Sequence, residues 1–384
     1  MALNTVSSDR LSTNVKNTNF TASEKQDLTD DILPLAGQIG NRNIVINGAM
    51  QVAQRGTSFT ATGNEFTVDR FSHHTGSSFN FDTTTTQSSD APDNFAKAIK
   101  ITPDSVVTPS ANQNGLFAYS IEGQDVQHLD YGTSSPQKIT LSFYAKSASQ
   151  NNNHQYTIQI RKVDTAGNIK HVLQPFTVTS SYQRFTFTFD GDTASDIVDG
   201  NVLGLELDFI LVAGSSDLES ATSTWATSGG FRAVTGQSNF MDNTSNEFFL
   251  TGVQLEVGGV ATDFEHRSFT DQYLKCARYF QRLGGTRKYF VGRTSNNNGL
   301  HTSPSCAVPL RTTPTITMSG SYELFSSSGL GSSSTTPTID TYSTDDFNNC
   351  YLGNIFFVIS GSYASDARVG VVRQSNTINF DAEL

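Results

Sequence analysis

Apolar side chains recur at every second position along much of this chain, and that period narrows its fold more than any other feature. Phe185, Phe187 and Phe189 alternate with threonines, and Leu203, Leu205, Leu207 and Phe209 alternate with Gly204, Glu206 and Asp208. Ile139, Leu141 and Phe143 do the same, as do Tyr156, Ile158 and Ile160, with Asn151-Asn152-Asn153 as the turn between the two runs. A period of two puts one set of side chains on each face of a pleated strand, so each run reads as a strand half buried against a core. Shorter runs at 44–46, 79–81 and 95–101 read as strands as well. Eight or more strands joined by Gly, Asn and Ser imply a two-sheet sandwich.

The stretch 251–267, TGVQLEVGGVATDFEHR, reads as the strand that closes the sandwich. Phe249, Val253, Leu255 and Val257 fall on alternate positions with Gln254 and Glu256 between the last of them, and Gly258-Gly259 ends the run. The period then changes. Phe269, Tyr273, Ala277 and Phe280 are spaced by three and four residues, which predicts an amphipathic helix. Beyond Gly284-Gly285 a second β-rich region starts at Tyr289. A chain of 384 residues exceeds what one core usually supports. The expected division is an arm over 1–40, a sandwich over 41–268, a bridging helix over 269–285 and a smaller β domain over 286–384. The arm is polar, with Leu3, Leu11, Val15 and Phe20 too sparse to bury a core.

Composition excludes several classes of function. Net charge is -11, whereas nucleic-acid backbones demand clustered Lys and Arg, so no nucleic-acid partner is expected. No apolar run approaches the about 18 residues of a membrane span, and residues 1–20 lack the apolar core of a signal peptide. Cys276, Cys306 and Cys350 show no CxxC spacing and are expected as buried thiols. No nucleophile elbow, zinc-protease, phosphate-loop or dinucleotide motif is present, so no catalytic residue, metal or cofactor is expected. The acidic pairs Glu122 with Asp125 and Asp190 with Asp192 are the residues a glycosidase reading would use. Asp190 and Asp192 flank Gly191 in what reads as a turn, where Asp serves backbone hydrogen bonds. His73-His74 occupy adjacent strand positions and so face opposite ways, which prevents them from sharing one ion.

Sugars are held by aromatic faces against their C–H surface, with Asn, Asp, Gln or Arg on their hydroxyls. Trp225, the single tryptophan, lies in a Ser/Thr/Gly-rich stretch that reads as a loop, and Phe231-Arg232 follows closely. Trp225 and Arg232 are the leading candidate ligand-binding residues, with Tyr131 and Tyr144 behind them. A loop anchor packed on the sandwich is the competing reading of Trp225.

The wording GVQLEVGGVATDFEHRS followed by KCARYFQR resembles the segment that ends the carbohydrate-binding-module-like jelly roll of many bacteriophage tail fibre and receptor-binding proteins. NIVINGAMQVAQRGTSF with VDRF resembles its opening, IEGQDVQHL with ITLSFYAKS its inner strands, and PLRTTPTIT with INFDAEL the ending of such chains. The resemblance implies jelly-roll topology and a non-enzymatic virion component, a tail fibre or tail appendage assembled in the host cytoplasm. It also implies attachment to other virion proteins through 1–40, a homotrimer and a host surface glycan as partner. A capsid or tail decoration protein without a sugar site and a polysaccharide depolymerase are the alternatives. Arg311 is expected to be structural.

Overall fold

The structure, a computed structural model, describes residues 41–76, 79–227, 230–283, 306–317 and 377–384, together with the backbone of the strands that lie between. The arm over 1–40 lies outside the described residues. In chain order the first strands are β1 (Ser58–Ala61), β2 (Glu65–Phe66), β3 (Phe71–Gly76), β4 (Thr83–Ser88), β5 (Ala98–Pro103), β6 (Asn114–Glu122) and β7 (Ile139–Ser147). They are followed by β8 (Gln155–Val163), β9 (Ile169–Thr177), β10 (Gln183–Phe189), β11 (Leu203–Ala213), β12 (Leu218–Glu219), β13 (Thr222–Thr227), β14 (Ala233–Val234) and β15 (Phe248–Val257).

Two antiparallel sheets form the jelly-roll sandwich. One is six-stranded, in the order β1-β4-β5-β15-β7-β10, and the other seven-stranded, in the order β13-β9-β8-β11-β6-β3-β2. The alternating residues do what their period requires. Leu141, Phe143, Ile158, Ile160, Leu207 and Phe209 are completely buried between the sheets, and Phe143 meets Phe209 edge-on across the gap at 5.0 Å. Aromatic pairs of this geometry contribute about 0.5–1.5 kcal/mol beyond their area.

The opening words of the chain differ from expectation. Residues 44–46 form no strand: the Ile44 amide bonds Leu255 O at 2.9 Å, the Val45 amide the Asn43 side chain and the Ile46 amide the Tyr119 hydroxyl at 2.7 Å. Asn43 accepts from the amides of Val45 at 2.9 Å and Leu255 at 3.1 Å and donates to the Val253 carbonyl at 3.0 Å. Asn47, in the left-handed region at φ 61°, accepts from Val52 N and donates to Val52 O, both at 2.9 Å. The loop fills a bulge in β15. Between Thr251 and Gln254 the pairing of β15 with β7 slips, Gly252 turns to φ 62°, and the Val253 amide bonds Gly48 O at 3.0 Å. A Cβ on Gly48 would lie 2.0 Å from the Val253 oxygen, so only glycine fits there. The bulge also moves Phe249, expected to share a face with Val253, to the outer face beneath Lys146, while Phe248 and Leu250 turn inward. Phe79 and Phe81 are buried but precede β4, and Phe95 precedes β5.

The helix α1 (Phe269–Ala277) is capped by Ser268, whose side chain accepts from the Asp271 amide. It ends before Phe280, which helical spacing had included. Instead β16 (Phe280–Leu283) pairs with β24 (Ile378–Asp381), and β24 pairs with β19 (Thr315–Met318). The remaining strands, β17 (Lys288–Ser295), β18 (Gly299–Thr302), β20 (Tyr322–Ser326), β21 (Gly329–Thr335), β22 (Ile355–Val358) and β23 (Val369–Gln374), form a six-stranded sheet in the order β21-β20-β23-β17-β18-β22.

One junction ties this last part to the sandwich. Arg70, only 1% exposed, pairs with Glu383, donates to Ser120 O at 2.5 Å and lies 3.4 Å over the Tyr279 ring. Burial opposes its charge, yet the Glu383 carboxylate holds its pKa above the usual value. Arg55 bridges Asp69, Asp381 and Glu383 at 3.0–3.3 Å and stacks on Phe280. Arg311 donates to the carbonyls of Ala382, Glu383 and Asn201 at 2.5–2.8 Å, a structural role. Asp69 is buried, and burial pushes its carboxyl up to about 6 against the amide of Gln54 and the charge of Arg55. Because the folded pKa lies above the unfolded one, the stability it contributes is complete below 3.8 and is lost as pH rises through about 6. Asp69→Asn is expected to flatten that part of a plot of denaturation midpoint against pH, and an unchanged slope would count against this assignment.

Candidate functional site

The outer face of the seven-stranded sheet carries a polar row under an aromatic cover. Pairing sets His171 of β9 opposite Arg161 of β8, and Arg161 opposite Glu206 of β11. The side chains opposite the buried Ile160 and Leu207 sets therefore line up across three strands. Arg161 donates through Nε to Asp208 at 2.7 Å and through Nη2 to Glu206. Phe231 lies over the guanidinium, 4.0 Å from ring centre to Cζ, with His74 beside it at 6.4 Å. The segment that carries Phe231 is fixed by the parallel pairing of β12 with β14 and by the Gln159 side chain, which accepts from the Arg232 amide at 3.1 Å. Arg232 in turn pairs with Asp217 at 2.9 Å, and His171 meets Glu219 at 2.5 Å.

Burial and shared charge set the protonation of this row. Glu206 is pushed up to about 8 by burial and by the charge of Asp208, and Asp208 is raised by burial, with Arg161 opposing both. Two carboxyls on one guanidinium titrate as a pair. Burial lowers His171 despite its contact with Glu219, and burial together with the Arg161 charge lowers His74 to about 4. Toward solvent stand Glu219 and Arg232, with side chains 33% and 29% exposed. The arrangement sets the half-buried Phe231 ring, packed on Ala118, Ile210 and Ala233, beside a partly exposed guanidinium and carboxylate, backed by buried groups that hold them in place.

The residues picked from sequence are scattered. Arg232 belongs to this row. Trp225 sits on strand β13 rather than in a loop and is 8% exposed, so the exposure that recommended it is missing. Its ring meets Tyr131 edge-on at 5.6 Å, its N–H donates to Asp190 O at 2.8 Å, and the buried Lys162 ammonium lies 5.6 Å from its centre. Tyr131 is 6% exposed. Both rings close the sandwich edge between β10 and β13. Tyr144 lies on the opposite outer face among Phe95, at 5.3 Å, and the strap that follows β15. That strap is held by Glu256 and Gln254, which accept from the amides of Thr262 and Glu265 at 2.8 Å.

One carboxylate of each acidic pair is engaged elsewhere. Glu122 takes both bonds from Arg278 at 2.8 and 2.9 Å, and Asp192 holds Lys162 and Lys170, each at 2.9 Å. His73 points inward to Thr83 at 2.8 Å while His74 points outward, as alternation requires. Cys276 is buried and Cys306 half-buried, and Cys350 lies outside the described residues. Arg161, His171, Glu206, Asp208 and Glu219 were not singled out. Alternation with leucines placed Glu206 and Asp208 on an outer face, but the partner strand that brings Arg161 to them follows from register, which periodicity does not supply.

No protein-family model matches the chain, and no curated protein matches it. Among solved structures it is similar to the enzymatically active domain of tailspike protein 4 from bacteriophage CBA120, with 13% identity and a TM-score of 0.29 over 56% of this chain. The chain spans 21% of that tailspike chain. It is also similar to the CBM22-1 xylan-binding domain of Paenibacillus barcinonensis Xyn10C, with 8% identity and a TM-score of 0.29 over 57% of this chain and 96% of that one. The family 11 carbohydrate-binding module of Clostridium thermocellum Lic26A-Cel5E gives 14% identity and 0.29 over 54% of this chain and 100% of that one.

Proposed function

We propose that this chain is a non-enzymatic bacteriophage virion component, a tail fibre or tail appendage, that attaches through residues 1–40 and holds a host surface glycan on the outer face of its seven-stranded sheet. The observation that carries the glycan reading is Phe231 stacked over Arg161 beside the partly exposed Arg232 and Glu219. A pyranose presents apolar C–H faces and a rim of hydroxyls, which need a ring for the first and charged hydrogen-bonding groups for the second. The attachment reading is supported by the polar composition of residues 1–40, whose Leu3, Leu11, Val15 and Phe20 are too sparse to bury a core of their own.

The non-enzymatic reading is supported by the state of the carboxyls. Glycoside hydrolysis needs two of them free to face one sugar from two sides. Here Glu206 and Asp208 converge on a single guanidinium at 4% and 0% exposure, and Asp192 and Glu122 are taken up by Lys and Arg. Release of reducing sugar from host envelope glycans would overturn it. Phe231→Ala is expected to weaken adsorption of the purified chain to host cells or a glycan array about ten-fold, which corresponds to about 1.4 kcal/mol.

A further inference from the structure

A cavity of about 510 Å³ lies between the sandwich and α1, within the size range of ligand pockets. Four cationic side chains line it: Arg42, Arg267, Lys275 and Arg278. Two of them have carboxylates, since Arg278 holds Glu122 and Arg267 holds Glu265 at 2.9 Å. The other two do not. Arg42 donates to the Asp263 carbonyl and Lys275 to the Asn41 side chain, both at 3.0 Å, and neither pairs with a carboxylate among the described residues. The Nε atoms of Arg42 and Arg267 are buried and unbonded, and the Arg267 side chain is only 7% exposed. Lys275 is pushed below the usual lysine range by burial and by the neighbouring Arg267 charge. The charges of Asp271, Glu265 and Asp125 oppose that shift from a distance, while Arg42 and Lys275 keep no direct carboxylate contact among the described residues.

The other walls narrow the ligand. Ile44 and Val257, each half-buried, give an apolar side, and Asp125 is the one carboxylate in the lining. A bare phosphate has no use for the first and is repelled by the second. A pyranose bearing a carboxylate uses all three, with its C–H face on the aliphatic wall, a hydroxyl donating to Asp125 and its carboxylate on Arg42 and Lys275. We infer that this cavity binds the carboxylate-bearing sugar of an acidic glycan, a uronate in type. The inference rests on the reading of the chain as a glycan-binding protein and adds a site apart from Phe231.

The test is titration calorimetry of the full chain at low ionic strength with an oligogalacturonate and with a neutral oligogalactoside of equal length. The uronate is expected to bind at least ten-fold more tightly. Arg42→Gln with Lys275→Gln is expected to remove at least ten-fold of that affinity with little change in melting temperature, while Lys275→Arg retains it. Equal binding of the neutral sugar, uronate binding that survives the double substitution, or displacement by equimolar inorganic phosphate would each overturn the assignment. Absence of uronate binding, with Phe231-dependent adsorption intact, would remove this site and leave the proposed function standing.

Discussion

Glu383→Ala is expected to cost about 3–5 kcal/mol of stability, the range for breaking a buried ion pair by removing one partner. The cost arises in what remains. Arg70 would stay charged, 1% exposed and pressed on the Tyr279 ring, with the Ser120 carbonyl as its surviving oxygen partner. Arg55 would lose one of its three carboxylates at the same time. The check is a denaturant titration of the variant beside the parent chain. A second substitution, Arg70→Met, should restore part of the loss because it removes the stranded charge. A midpoint that Glu383→Ala leaves in place would mean that this junction does not hold the last strands to the sandwich.

Trp225→Ala carries the other large effect. Removal of a ring that is 8% exposed and packed edge-on against Tyr131 is expected to cost about 3–5 kcal/mol. It also opens the sandwich edge over Lys162, which is completely buried and bonded to Asp192, Ser195 and Asp196. A lowered melting temperature with unchanged glycan affinity of the folded chain is the expected result, read by calorimetry and array binding on the same preparation. An unchanged melting temperature with lost adsorption would return Trp225 to the ligand.

The fold was legible where a single strand carries its own evidence. β7, β8, β10 and β11 could be read from period two because each has one face on the core. What failed depended on partners distant in sequence. The run 44–46 is as apolar as a strand, but Asn43 settles its backbone against a bulge more than 200 residues away. Phe249 fell on the wrong face because one extra residue at the bulge inverts the alternation. Phe280 fits the helical spacing of Phe269, Tyr273 and Ala277, yet its backbone pairs with Asp381.

The words that carried the family resemblance meet in space for a physical reason. Arg55, Arg70, Glu122, Arg278, Tyr279, Arg311 and Glu383 come from six of the quoted phrases, Arg278 and Tyr279 sharing one, and lie at the junction between the sandwich and the final strands. Charged residues buried together must be kept together, so such words mark architecture more than ligand. The candidate site was less legible. Arg232 could be chosen because it follows a ring, but Arg161 and Glu206 look like ordinary outer-face residues until register sets them side by side.

The measurement closest to the central claim is a glycan array probed with the full chain, its Phe231→Ala variant and its Trp225→Ala variant below the melting temperature of each. The account predicts a defined set of bound glycans whose signal falls about ten-fold with Phe231→Ala and persists with Trp225→Ala. Full binding by the Phe231→Ala variant, or no glycan bound by the parent chain, would contradict it.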